Sequence, residues 1–347
     1  MGFLQLSCEV FTVVVVLACM FSISTALLGA RTSILISHRL RDSVALGVKL
    51  RSYNSNRNNA HSTWDPKEKR VSKTRKIPRV YVASSSLCLN MDVTLPDDTS
   101  HYITNVMRMR AGDQIRVFNG IDTVDFIAEV QPIERKKGPV KLQIVSTLAE
   151  NTRWSSLPPI SVIFSPLKKP RLKFLIEKLT EIGVSSLIPL ITTRTEARFE
   201  SISSYQKTII ESCEQCERSS IPSIQDSINL ASIMKNSTTS MDFMSLLNVD
   251  RLLVCVERSS TSQPLLSALA DWQINDERLG VVIGPEGGFS DEEVKYLTFL
   301  LESDKNTHGN GRIVLVSLGL NILRAETAGV FALSCVTGYH DSSCCVA

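Results

Sequence analysis

Five short apolar runs, Ile160 to Phe164, Leu187 to Thr192, Arg251 to Val256, Leu279 to Ile283 and Arg312 to Val316, alternate with stretches of helical periodicity. That rhythm predicts an α/β domain built on a parallel sheet. After the first run, Leu172, Leu175, Ile176, Leu179 and Ile182 fall on one helical face, and Arg171, Lys173, Lys178 and Glu181 lie largely off it. Gly183 follows as a C′ glycine. Ser290 is placed to cap a second helix, with Asp291, Glu292 and Glu293 in its first turn. Ala325, Ala328 and Ala332 give the last helix a small-residue face suited to close packing.

Upstream the pattern is shorter and strand-like. Arg79 to Val82 alternates, His101 to Met109 suggests a short helix, and Gln114 to Phe118 runs into Asn119-Gly120, a favoured hairpin turn. Thr123 to Val130 and Val140 to Val145 complete a set of strands that predicts a small β-barrel. Pro158-Pro159 marks a stiff boundary. The expected organisation is an extension over residues 1–75, a small β domain over 76–154 and an α/β domain over 155–347.

The extension carries two signals. Val10 to Ala30 is uncharged and about long enough to cross a bilayer, but Glu9 and no Lys or Arg precedes it. Arg31 to Ser62 is rich in Arg, Ser and Asn with Asp42 its only acid, a transit-peptide composition. An organellar targeting segment is expected, and membrane contact only if the apolar run is kept as an anchor. From Trp64 to Arg79 follows a basic linker.

Composition changes this picture little. Among 347 residues 21% are charged and 43% apolar, with a net charge of +3, so a nucleic-acid surface must come from local clusters. Nine scattered cysteines suggest a reducing compartment. Cys213 and Cys216 form a lone C-x-x-C without the second pair a zinc site needs, and the five histidines form no ligand motif, so no metal is expected.

The chemistry concentrates in two segments, Ile283-Gly284-Pro285-Glu286-Gly287-Gly288-Phe289 and Ser317 to Ala328. Each follows a predicted strand and leads into a predicted helix, so each is a loop at the edge where open α/β sheets bind ligands. The glycine loop fits neither G-x-x-x-x-G-K-[ST] nor G-x-G-x-x-G. Pro285 removes a backbone donor and Glu286 would repel pyrophosphate, which disfavours a nucleotide-binding enzyme of the ordinary kind. A positively charged ligand with adenine and amino-acid groups, such as the sulfonium S-adenosylmethionine, suits the loop better.

With these loops, Glu177 to Val184, Glu214-Gln215, Arg218, Arg108 and Arg110-Ala111-Gly112 in order, the chain resembles a known family. It is similar, from about Arg79 to Val336, to the bacterial-type methyltransferases that modify N3 of a uridine in 16S small-subunit rRNA, members of the SPOUT superfamily. The resemblance implies a PUA-like RNA-binding barrel, then a SPOUT-type methyltransferase domain with a trefoil knot, working as a homodimer. It implies a cofactor, S-adenosylmethionine, held by Ile283, Gly284, Pro285, Gly287 and Gly288 from one loop, and by Leu318, Gly319, Ile322 and Leu323 from the other. The partner is small-subunit rRNA, in an organelle with bacterial-type ribosomes, the chloroplast ahead of the mitochondrion. Asn321 departs from the family, which more often carries an arginine there; a non-catalytic RNA-binding assembly factor is the alternative it supports.

Uracil N3 bears a weakly acidic proton and is a poor nucleophile until that proton leaves, so the site needs a base or a cation stabilising the O2/O4 anion. Arg324 is expected in the anion-stabilising role. Glu326 would orient it or accept the proton, with Glu286 the second candidate base. For RNA contact the expected cations are Lys168, Lys169, Arg171, Arg194 and Arg198 in the large domain, Arg79, Arg108 and Arg110 in the small one, and Arg218.

Overall fold

Arg79, the first residue of the first strand, is buried. The computed structural model describes residues 77–122, 124–132, 138–148, 159–236, 239–256, 261–270, 277–308 and 311–344. The targeting extension, the apolar run and the basic linker up to residue 76 lie outside the described residues. Within them, no helix is long and apolar enough to cross a membrane.

The small domain comprises β1 (Arg79–Tyr81), β2 (Asp92–Thr94), α1 (Asp97–His101), β3 (Gln114–Phe118), β4 (Phe126–Val130) and β5 (Lys141–Thr147). Its strands run in the order β1-β3-β4-β5-β2, antiparallel except for β1 with β3. Alternate residues Ile115, Val117, Ala128, Val130, Leu142 and Ile144 bury one face. Two expectations change. The helix over His101 to Met109 is instead α1 continuing as one π-helical segment, Tyr102–Val106. Asn119-Gly120 starts a longer loop rather than a two-residue hairpin, because the Asn119 side-chain carbonyl accepts the N–H groups of Ile121 and Asp122.

The large domain runs β6 (Ile160–Phe164), α2 (Lys169–Ile182), β7 (Ser186–Ile191), α3 (Ile202–Cys216), β8 (Ser223–Ile224), β9 (Ile228–Asn229), α4 (Leu230–Asn236) and α5 (Ser240–Leu247). It continues with β10 (Arg251–Cys255), β11 (Gln263–Pro264), α6 (Leu265–Ala270), β12 (Leu279–Ile283), α7 (Asp291–His308), β13 (Ile313–Ser317) and α8 (Ala325–Cys344). The strands are parallel in the order β11-β13-β10-β12-β6-β7-β8, with β9 on β7. Their runs are continuously apolar because both faces are covered. Val162, Leu253, Val281 and Ile283 pack under α2, α3 and α8, whereas Ile163, Leu252, Val254 and Val282 pack toward α5 and α7. On α2, Leu172, Leu175, Ile176 and Leu179 are fully buried, each stabilising the fold by about 1.5–3 kcal/mol. Gly183 ends that helix at φ 126°, which a side chain would strain.

Candidate active site

The register of the sheet brings the two loops together. Cys255, at the end of β10, pairs with Ile283 on one side and Val316 on the other. Neighbouring strands lie about 4.8 Å apart, so segments leaving β12 and β13 start roughly 10 Å apart, the span of one small molecule. The floor between them is inert, since burial, with nearby Cys335 adding to it, pushes the Cys255 thiol up to about 12.

The glycine loop is braced from behind. Glu293, 1% exposed, accepts the N–H of Ser290 at 2.8 Å and that of Thr193 at 2.7 Å. Ser290 Oγ accepts the Glu293 N–H in return, completing a capping box at the start of α7. Arg194 donates to the carbonyls of Gly287 and Phe289 at 3.0 and 3.2 Å. A Cβ on Gly284 would come within 2.8 Å of the Phe289 ring, so only glycine lets the ring close over the backbone. Gly288 and Gly319 have φ of 68° and 122°, the region that favours glycine.

The loop surfaces are left open. Among the described residues, no partner meets the backbone N–H groups of Glu286, Gly287, Leu320, Asn321 or Ile322. Leu320 and Ile322 are exposed, and Leu318 and Leu323 pack partly against the core. Free amide donors beside aliphatic surface suit a ligand with both apolar and hydrogen-bonding parts. Carboxylates add a preference for positive charge.

Glu286 and Glu326 both face Arg171, which contacts Glu286 through Nη1 and lies 3.7 Å from Glu326 through Nε. The Glu326 side chain is only 12% exposed, and its second oxygen, Oε2, is buried without a partner among the described residues. A buried carboxylate oxygen without a donor is costly, so this atom is poised to accept one. Arg324 is exposed and makes no ion pair among the described residues, so its charge is available to a ligand.

Two expected RNA contacts need correction. Arg79 is buried and bonded to Asp125 and to the carbonyls of Cys213 and Arg218. Arg218 is buried too, donating to Thr180 O and Ser220 Oγ. Arg79 ties the small domain to the large one, and Arg218 accepts it through its backbone carbonyl while its own side chain braces the large domain from within. Arg194 is exposed and hydrogen-bonds the glycine loop, and Arg171 contacts Glu286. Lys168, Arg198, Arg108 and Arg110 are exposed, and Lys169 pairs with Glu200 at the surface. The helix of Cys213 and Cys216 packs against the small domain, and burial pushes the Cys213 thiol up to about 12. Glu293 is a site residue that the sequence reading placed only among the first-turn acids after the Ser290 cap, without its tie to Thr193. A cleft of about 1430 Å³ between α1, α2 and α3 has a lining of mixed charge, Asp98, Glu177, Glu211 and Glu214 beside Lys173 and Lys207, and includes neither ligand loop.

A parallel sheet with paired loops at one edge, preceded by a small β domain, is a two-domain architecture, and each part matches a family of RNA methyltransferases. The RNA methyltransferase domain model matches residues 155–337, and the RNA methyltransferase PUA domain model matches residues 95–143. Ribosomal RNA small subunit methyltransferase E of Rickettsia conorii is 30% identical over 262 residues, covering 75% of this chain and 94% of its own. The Bacillus subtilis protein of that name is 30% identical over 246 residues, covering 68% and 86%. A Legionella pneumophila protein solved in complex with the cofactor SAM is 26% identical, with a TM-score of 0.59, covering 76% of this chain and 98% of that one. The chain belongs to the ribosomal RNA small subunit methyltransferase E family.

Proposed function

We propose that the protein transfers a methyl group from S-adenosylmethionine to N3 of one uridine in small-subunit ribosomal RNA. The observation that carries this reading is the partnerless, buried Glu326 Oε2 between two loops of free backbone donors. Bound SAM in the Legionella relative supports the choice of methyl donor, as do the open glycines and exposed aliphatic side chains here. The donor would supply a sulfonium-activated methyl group, with the electrons of the broken sulfur–carbon bond staying on sulfur and the remainder leaving as a neutral thioether. Glu326 Oε2 takes the N3 proton, and the electron pair left on N3 forms the new bond to carbon. Arg324 offsets the negative charge that spreads to O2 and O4 as the proton leaves. Removing one such contact costs on the order of 100-fold in rate.

Three further parts belong to the proposal. β13 lies between β10 and β11 in the sheet although it follows both along the chain, a strand order that supports a trefoil knot. Leu320 at 105% exposure and Ile322 at 59% are apolar surface that a second copy would cover, which supports a homodimer. The Arg- and Ser-rich stretch before residue 62 supports an organellar address, the chloroplast first.

The test is single-turnover methylation of small-subunit rRNA, with the product nucleoside identified by mass spectrometry. N3-methyluridine is expected from the wild-type chain, and Arg324→Ala and Glu326→Gln should each slow it by about 100-fold. Wild-type rates in both variants, or a methyl group on ribose, would refute the reading. Loss of the same modification from organellar rRNA in cells lacking the protein checks substrate and compartment.

A further inference from the structure

Arg171 has the composition-level look of a phosphate contact, sitting beside Lys168, Lys169 and Lys173 at the start of α2. Its geometry differs. It touches a carboxylate from the loop after β12 and approaches another from the first turn of α8, through two edges of one guanidinium. Glu326 thereby turns Oε1 toward Arg171 and keeps Oε2 without a partner.

We propose that Arg171 is a positioning residue for methyl transfer, latching the Glu286 loop to Glu326 and fixing which Glu326 oxygen is left open to the substrate. This rests on the reading of Glu326 as proton acceptor. A guanidinium suits the task because its rigid fork presents separate edges to separate acceptors, whereas a lysine ammonium is a point charge on a flexible stem. The Arg171 side chain is 40% exposed and Glu286 36%, and ion pairs so exposed add little to fold stability. Loss of Arg171 should therefore disturb the reaction far more than the fold. A carboxylate displaced by about 1 Å can lower a rate by up to about 100-fold.

The experiment uses the full chain, small-subunit rRNA and S-adenosylmethionine under single-turnover conditions, with Arg171→Ala, Arg171→Lys and Arg171→Gln. Expected are a rate lowered by about 10- to 100-fold in all three, with unchanged thermal midpoint and RNA-binding salt slope. Guanidinium ion should partly restore Arg171→Ala. Arg171→Ala placed in a Glu326→Gln background should add little, since the two act as one unit. The glutamine variant keeps two of the three methylenes and carries the test if the alanine variant fails to fold. A wild-type rate, multiplicative losses in the double variant, or weakened RNA binding with a salt slope reduced by about one would overturn the role. Absence of methylation by the wild-type chain would instead bring down the function on which it depends.

Discussion

Arg79 and Asp125 form a twofold hydrogen-bonded ion pair, at 2.7 and 2.9 Å, buried where β1 meets the large domain. The same guanidinium reaches Cys213 O and Arg218 O, and lies 3.6 Å from the Phe118 ring centroid. One cation thus closes the junction between the domains.

Breaking this pair strands a buried charge, so Asp125→Asn should cost about 3–5 kcal/mol in urea unfolding. Burial alone would raise the Asp125 carboxyl, but hydrogen bonds and charge from Arg79, then Arg116, overcome it and leave it lowered. A carboxyl lowered by folding contributes its stability above the ordinary value of about 3.9 and loses it as pH falls through the folded value. Wild-type stability should therefore drop below about pH 4, while the difference from Asp125→Asn narrows. A constant difference from neutral pH to pH 3 would rule this out.

Glu293→Ala removes two acceptors from buried or half-buried N–H groups and opens the capping box. A stability loss of about 1–3 kcal/mol is expected, with weaker binding of S-adenosylmethionine by calorimetry. Unaltered binding would show that the loop holds its shape without this brace.

Gly284→Ala drives a methyl group to 2.8 Å from the Phe289 ring. The ring has to move, and the loop with it. Cofactor affinity should fall while the circular dichroism spectrum stays that of the wild type. Gly287, whose Cβ would sit 3.5 Å from Arg194, serves as the milder comparison.

Arg108 and Arg110 are exposed on the small domain, whereas Arg79 is buried in it. If the first two meet phosphates, alanine at either should lower the salt slope of RNA binding by about one and leave sequence preference intact. Salt-independent affinity would move the RNA to another face.

The apolar runs and the α2 stripe were legible because burial on two faces leaves no room for polar residues, and both ligand loops were legible because glycines mark backbone that must turn or be approached. Charge was the poor guide. Arg79, Arg171, Arg194 and Arg218 look alike as letters, and each contacts a partner between 38 and 139 residues away in the chain. Local pattern thus determined the two-part architecture and the position of the site, because strand and helix periodicity is a short-range property. Which oxygen of Glu326 stays open, and which arginines remain free for RNA, was decided only when the sheet register brought distant segments into contact. Ion pairing acts over a few ångströms of space, whatever the separation along the chain.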